Sequence, residues 1–182
     1  MPAARSQTRS LKARALQWLA QREQSRVELR RKLLRQARAD LASVSAGSDA
    51  GEVDDEAVRE QVDGVLDWLE SNGYLSAERF VESRVNARAG RYGNLRIRQE
   101  LQQHQLAISG ELAQTLGASE ADRACTVRAK RFAEPPRDAA ERARQARFLI
   151  GRGFSSDAVR AALRGASAVS GEDDSETSAA GH

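Results

Sequence analysis

The chain has 182 residues, 40% apolar and 4% aromatic, with 29 Lys or Arg against 26 Asp or Glu and a formal net charge of +3. No stretch approaches the ~20 apolar residues of a membrane span and no signal peptide opens the chain, which predicts a soluble, cytoplasmic protein of one domain or a few stacked subunits. The single cysteine, Cys125, excludes an internal disulfide, and two distant histidines give no metal-ligand cluster, so neither metal nor cofactor is expected.

Ala, Leu, Arg and Glu dominate, prolines number only 3, and a core with so few aromatics suits close-packed helices. Residues 1–9 predict a disordered start. Leu11, Ala15, Trp18 and Leu19 then form one helical stripe, which predicts a helix over about Ser10–Gln21. Ser25 stands three before Glu28 as a capping pair for a second helix with Leu29 and Leu33 inward. Residues 43–55 lack periodicity and predict a mobile acidic loop. Val58, Val62, Val65, Leu66 and Leu69 mark a third helix ending at Asn72 and Gly73.

Ser76 is the expected cap of a fourth helix, which carries Phe80, Val81 and Val85 and stops between Gly90 and Gly93. Asn94 is expected to cap a fifth helix with Ile97 and Leu101 inward, and Ser109 a short sixth with Leu112 and Leu116. Ser119 with Asp122 and Asp138 with Glu141 frame helices seven and eight, separated by Pro135 and Pro136. Gly153 ends the eighth. Ser155 or Ser156 starts a ninth with Val159 and Leu163 inward, and the acidic tail beyond Ala166 is expected to be disordered.

Residues 68–76, WLESNGYLS, return as 148–156, FLIGRGFSS, so the chain reads as internally repeated. Leu101 aligned with Leu149 and Leu106 with Phe154 give a spacing of 48 residues, while Leu33 to Leu101 gives 68, the excess lying around the acidic loop. The pattern is all-α: tandem three-helix repeats, about nine helices, stacked into an elongated, curved body. The expected divisions are 10–73, 74–117 and 118–165. Such bodies offer long surfaces and usually no central cleft, so binding rather than catalysis is the expectation.

The charge is segregated. Residues 1–38 hold 11 bases against 2 acids, residues 39–70 are acidic with Arg59 the one base, and residues 79–98 hold 6 Arg against Glu82. Residues 123–152 hold 9 bases against 3 acids. With only 3 lysines, 26 of the 29 bases are arginine, the side chain suited to bidentate contact with phosphate or carboxylate. Arg84, Arg88 and Arg91 at helical spacing, followed by Arg96 and Arg98, are the first candidate for an anionic partner. Arg128, Lys130 and Arg131 are the second. Arg26 and Arg30, beside Arg31 and Lys32, are the third, discounted because the neighbouring acidic block can neutralise it. For each set the alternative is a solvated face paired with local acids.

Three segments resemble the RecX family of bacterial regulators of the recombinase RecA. LAQREQSRVELRRKL (19–33) is similar to that family's first repeat, LSAERFVESRVNARAGRYGNLRIRQEL (75–101) to its most recognisable stretch, and RFLIGRGFSSDAVRAAL (147–163) to its closing motif. The likeness spans about residues 11–165. This chain has Gln105 where the family usually carries Gly, a longer acidic loop, and no aromatic near Cys125 in helix seven. The resemblance implies binding to the RecA filament on single-stranded DNA, directly on the strand or through RecA, with filament growth, recombinase and co-protease activity lowered. A monomer is the simpler expectation.

Tyr92 beside Arg91 makes a poor stacking platform alone, so core or turn packing is expected of it. Trp18, Trp68, Tyr74, Phe80, Phe148 and Phe154 are expected in contacts between helices. His104 has no nucleophile placed near it, Cys125 reads as a small buried hydrophobe, and Asp54, Asp55 and Glu56 lack the pattern of a calcium loop. An enzyme is therefore disfavoured. The second function class is a RecA-independent helical nucleic-acid-binding protein.

Overall fold

The structure is a computed structural model that describes residues 10–45 and 54–168. Among them are nine helices and no strand: α1 (Leu11–Leu19), α2 (Arg26–Ser45), α3 (Asp55–Ser71), α4 (Ala77–Ala89), α5 (Asn94–Gln102), α6 (Gly110–Ala118), α7 (Glu120–Arg131), α8 (Ala139–Gly151) and α9 (Ser156–Ala168). The fold is the expected all-α series of helical triplets. The disordered start, the core of the acidic loop (46–53) and the tail from 169 lie outside the described residues. The loop is shorter than expected at its N-terminal side, because α2 continues through Ser45.

The chain forms two compact units, Met1–Ser83 and Arg84–His182. In the first, α1, α2 and α3 close around Ala15, Leu29, Leu33, Val62, Leu66 and Leu69, all without solvent exposure, with Trp18 and Trp68 packed against them. These are the positions that helical periodicity selects, since only one stripe of each helix can face the shared seam. The Ser25 hydroxyl accepts from Glu28 N–H at 3.1 Å and starts α2. Asp54 starts α3 by accepting from Glu56 and Ala57 N–H. Tyr74 is exposed rather than interior, its ring stacked on Trp68 at 5.4 Å.

In the second unit α7 packs along α9, and α8 leans on both. Ala124, Val127, Leu149, Phe154, Val159 and Leu163 form the seam, with Cys125 and Phe148 at its edge. Asp138 starts α8 by accepting from Glu141 N–H at 2.7 Å. Ser155 starts α9 by accepting from Ala158 N–H at 3.3 Å. Three expected caps differ. Asn94 is the first residue of α5 rather than its cap, and it is buried. Ser109 and Ser119 stand at the N-cap positions of α6 and α7 without a side-chain capping bond. Ser119 instead donates back to the Thr115 carbonyl at 2.9 Å.

The recurrence of WLESNGYLS and FLIGRGFSS marks a shared way of stopping a helix. Gly73 and Gly153 have φ of 72° and 80°. The residue after each donates to a carbonyl five residues back: Tyr74 to Leu69 at 2.9 Å, and Phe154 to Leu149 at 3.2 Å. One stop follows α3 and the other α8, the third and second helices of their triplets, so this recurrence does not carry the repeat register. The spacing of 48 does: Leu101 lies on α5 and Leu149 on α8, both second helices.

The same stop closes α5 without glycine. Leu106 N–H donates to Leu101 O at 3.1 Å, and Gln105 N–H to Gln102 O at 2.9 Å, with Gln105 at φ 59°. A side chain in that left-handed region costs roughly 1–2 kcal/mol, part of which a glycine returns through its greater freedom when unfolded. Gln105→Gly is expected to stabilise the protein by about 0.5–1 kcal/mol, raising the thermal midpoint by about 2 °C. Differential scanning calorimetry showing a lowered midpoint would contradict this account of the turn.

Candidate arginine interface

Helix α7 carries two polar side chains, one turn apart, that bind the ends of four other helices. Glu120 is 7% exposed at the start of α7. It accepts from Asn94 N–H at 2.8 Å at the start of α5. It also accepts from Ser155 N–H at 3.4 Å and the Ser155 hydroxyl at 2.8 Å at the start of α9. A carboxylate is suited to this place because helix starts present unpaired N–H groups and partial positive charge.

Arg123 does the converse at helix ends. Its guanidinium donates to the carbonyls of Ala89 (3.1 Å), the last residue of α4, and Tyr92 (3.0 Å) just beyond it, to Leu116 O in α6 (2.9 Å), and to Asn94 Oδ1 (2.5 Å). Burial pushes this guanidinium below the ordinary arginine pKa, and the Glu120 charge opposes that shift. Asn94 Nδ2 also donates to Leu116 O at 3.2 Å, which is why it is unavailable as a cap.

This junction presses two turns together, Arg91–Gly93 before α5 and Gly151–Gly153 at the end of α8. Gly93 N–H donates to Arg152 O at 3.0 Å, and Leu95 N–H to Gly153 O at 3.1 Å. A β-carbon on Gly93 would lie 2.2 Å from Gly153 O and Phe154 N, and one on Gly153 would lie 2.6 Å from Arg96 Cβ. The backbones approach this closely because neither position carries a side chain.

Arginines gather around half-buried Tyr92 as a result. The guanidinium carbons of Arg88, Arg96 and Arg152 lie 5.8, 5.8 and 5.7 Å from its ring centroid. Arg152 also donates to Arg91 O at 3.4 Å and sits 4.9 Å from the Phe148 centroid. Tyr92 does pack at a turn, and it is also the hub of a cationic group, since an aromatic face attracts guanidinium.

The expected site residues divide by what they touch. Arg84 and Arg88 both reach Glu100, at 3.3 and 3.0 Å, and that carboxylate raises the Arg88 pKa. Arg91, Arg96 and Arg98 are exposed, and none pairs with a carboxylate among the described residues. Lys130 and Arg131 are exposed at the end of α7. Arg128 turns inward, donating to Glu134 O and Gln145 Oε1, both at 3.4 Å. Arg26 bridges Asp67 (2.7 Å) and Glu70 (2.5 Å), and Arg30 bridges Asp63 (2.6 Å), all on α3. Arg30 holds the Asp63 carboxyl below the usual range. This third set is occupied by the acidic block, as its neighbours in the sequence foreshadow.

Arg152 is the residue of this surface that sequence reasoning passes over. Its signal is present but indirect: it lies in the basic block 123–152, one position before a helix-stopping glycine. Glu120 and Arg123 give no such signal, since both occupy ordinary polar positions on an amphipathic helix. Among the described residues, no group of three or more His, Cys, Asp or Glu is placed to hold a metal ion, and no helix is long and apolar enough to cross a membrane.

Two family models match the triplets that meet at this junction: RecX, second three-helix domain, over residues 78–114, and RecX, third three-helix domain, over 118–163. The regulatory protein RecX of Ralstonia pickettii (strain 12J) is 46% identical over 159 residues, 86% of this chain and 88% of the relative. That of Herbaspirillum seropedicae is 45% identical over 159 residues, 85% of this chain and 90% of the relative. A more distant relative, from Neisseria meningitidis serogroup C, is 32% identical over 159 residues, covering 86% of this chain and 90% of its own length. With both triplets matched and relatives of this identity spanning most of its length, the chain belongs to the RecX family of regulatory proteins.

Proposed function

We propose that this protein modulates RecA by binding the RecA–DNA filament, limiting filament growth and lowering recombinase and co-protease activity, without catalysis of its own. It acts in the cytoplasm as a monomer. The observation that carries the reading is the cationic group at the turn-on-turn junction, where Arg91, Arg96 and Arg152 find no carboxylate partner among the described residues; Arg98, exposed on another face of α5, has none either. Charges held on a braced junction lose little freedom on binding, and a filament offers acidic and phosphate groups at regular intervals. Arg84 and Arg88, which share Glu100, flank the contact. Arg26 and Arg30 do not contribute, being held by α3.

The test is RecA-catalysed strand exchange with added protein. The native chain is expected to inhibit, and R91A/R96A/R98A/R152A to need at least about tenfold more protein for the same inhibition at an unchanged unfolding midpoint. Full inhibition by the folded quadruple variant contradicts the assignment of the site. No inhibition by the native chain, together with tight binding to DNA alone, favours a RecA-independent nucleic-acid-binding protein.

A further inference from the structure

The third triplet holds a cleft of about 560 Å³ between the end of α7 and α8, open to solvent. That volume suits a small ligand. Two aromatics stand in its wall, Phe132 and Phe148, meeting edge to face with centroids 5.4 Å apart. Arg131 and Arg144 lie over the Phe132 ring, their guanidinium carbons 5.7 and 5.5 Å from its centroid. Both arginines are exposed, and neither pairs with a carboxylate among the described residues. A guanidinium lying against a phenyl face keeps its N–H edge outward, and that edge matches two oxygens of a phosphate.

The acids of the cleft are already engaged. Glu134 pairs with Arg137, and Glu141 accepts from Arg137 N–H at 3.0 Å. The floor is polar and built from within: Gln145, 2% exposed, donates to Glu134 O at 3.3 Å and accepts from Arg128. Beside it the buried Nε of Arg128 has no hydrogen-bond partner among the described residues. Unsatisfied buried donors are uncommon, and here one adds positive potential beneath two uncommitted arginines.

From this geometry we infer that the α7–α8 cleft binds a nucleotide phosphate, with Arg131 and Arg144 gripping its oxygens and the Phe132–Phe148 pair lying against the apolar part of the nucleotide. The phosphate belongs either to a free nucleoside triphosphate or to a link of a single strand. The inference does not rest on the filament reading, although Phe148 of the cleft also carries Arg152 of the Tyr92 group, so its assay contains no recombinase.

Full-length protein is titrated into fluorescein-labelled oligothymidylate, read by anisotropy, and ATP is titrated into the protein by calorimetry. R131A/R144A is expected to weaken one of the two by about tenfold at an unchanged unfolding midpoint, and the ligand affected identifies the source of the phosphate. If it is the strand, the salt dependence of binding falls by roughly 0.7 log units per decade of salt for each phosphate contact removed. Should the alanine pair disturb folding, R131Q/R144Q keeps stems against Phe132 and carries the same expectation. Native protein that binds neither ligand, or folded variants that bind both as the native chain does, overturn the inference.

Discussion

Gly93→Ala is expected to destabilise the second compact unit by about 3 kcal/mol and to weaken inhibition of strand exchange, although it removes no charge. The added carbon would stand 2.2 Å from the Gly153 carbonyl oxygen and the Phe154 nitrogen, and both belong to backbone that cannot rotate aside. The two turns must separate, which forfeits the bonds from Gly93 N–H to Arg152 O and from Leu95 N–H to Gly153 O. Overpacking costs about 1–3 kcal/mol, and each lost hydrogen bond about 1 kcal/mol. Because Arg96 and Arg152 take their places from these turns, separation also disperses the guanidinium groups around Tyr92. Chemical denaturation and strand exchange measured on one preparation check both effects. A variant of native stability would mean that the turns are not in register as described.

The second large effect is expected at α7. Glu120→Ala should cost about 3 kcal/mol, since it strands Asn94 N–H and the Ser155 N–H and hydroxyl at the starts of two helices. Arg123→Met should cost a similar amount, about 3 kcal/mol, by leaving the carbonyls of Ala89, Tyr92 and Leu116 without their donor. The two residues serve one junction, so the double variant should lose less than the two single losses added together. Urea denaturation of the three variants reads the coupling. Strict additivity would separate Glu120 and Arg123 into independent supports and remove the reason for treating the junction as one device.

The helices were legible because each buries a stripe of aliphatic residues, and a stripe leaves a period in the sequence: Leu29 with Leu33, Val58 with Val62, Leu66 and Leu69. Helix starts were legible where a hydroxyl or carboxylate oxygen is left to accept an N–H of the first turn, as at Ser25, Ser76, Asp138 and Ser155. Asn94 was misread because its amide is claimed by Arg123 and Leu116, residues that only the tertiary fold brings near. Gly93 carries no local sign of its role, since what it must avoid is the backbone of another triplet. The departure at Gln105 was visible as a missing glycine, and the structure gives it a meaning: a left-handed helix stop occupied by a side chain.

The arginine surface was legible as a class and not as a site. Composition and spacing marked three basic sets, but pairing is decided by which acids the fold brings within reach. Arg26 and Arg30 spend their charge on α3, Arg84 and Arg88 share Glu100, and Arg91, Arg96 and Arg98 remain open to a partner. Arg152 joins them only because two helix-stopping turns touch.

The most direct measurement is a cryo-electron microscopy reconstruction of the protein on a RecA–single-stranded DNA filament. The account predicts density in which Arg91, Arg96, Arg98 and Arg152 contact acidic or phosphate groups of the filament, with the Gly93–Gly153 turn contact intact. A bound complex in which that face points to solvent would contradict it.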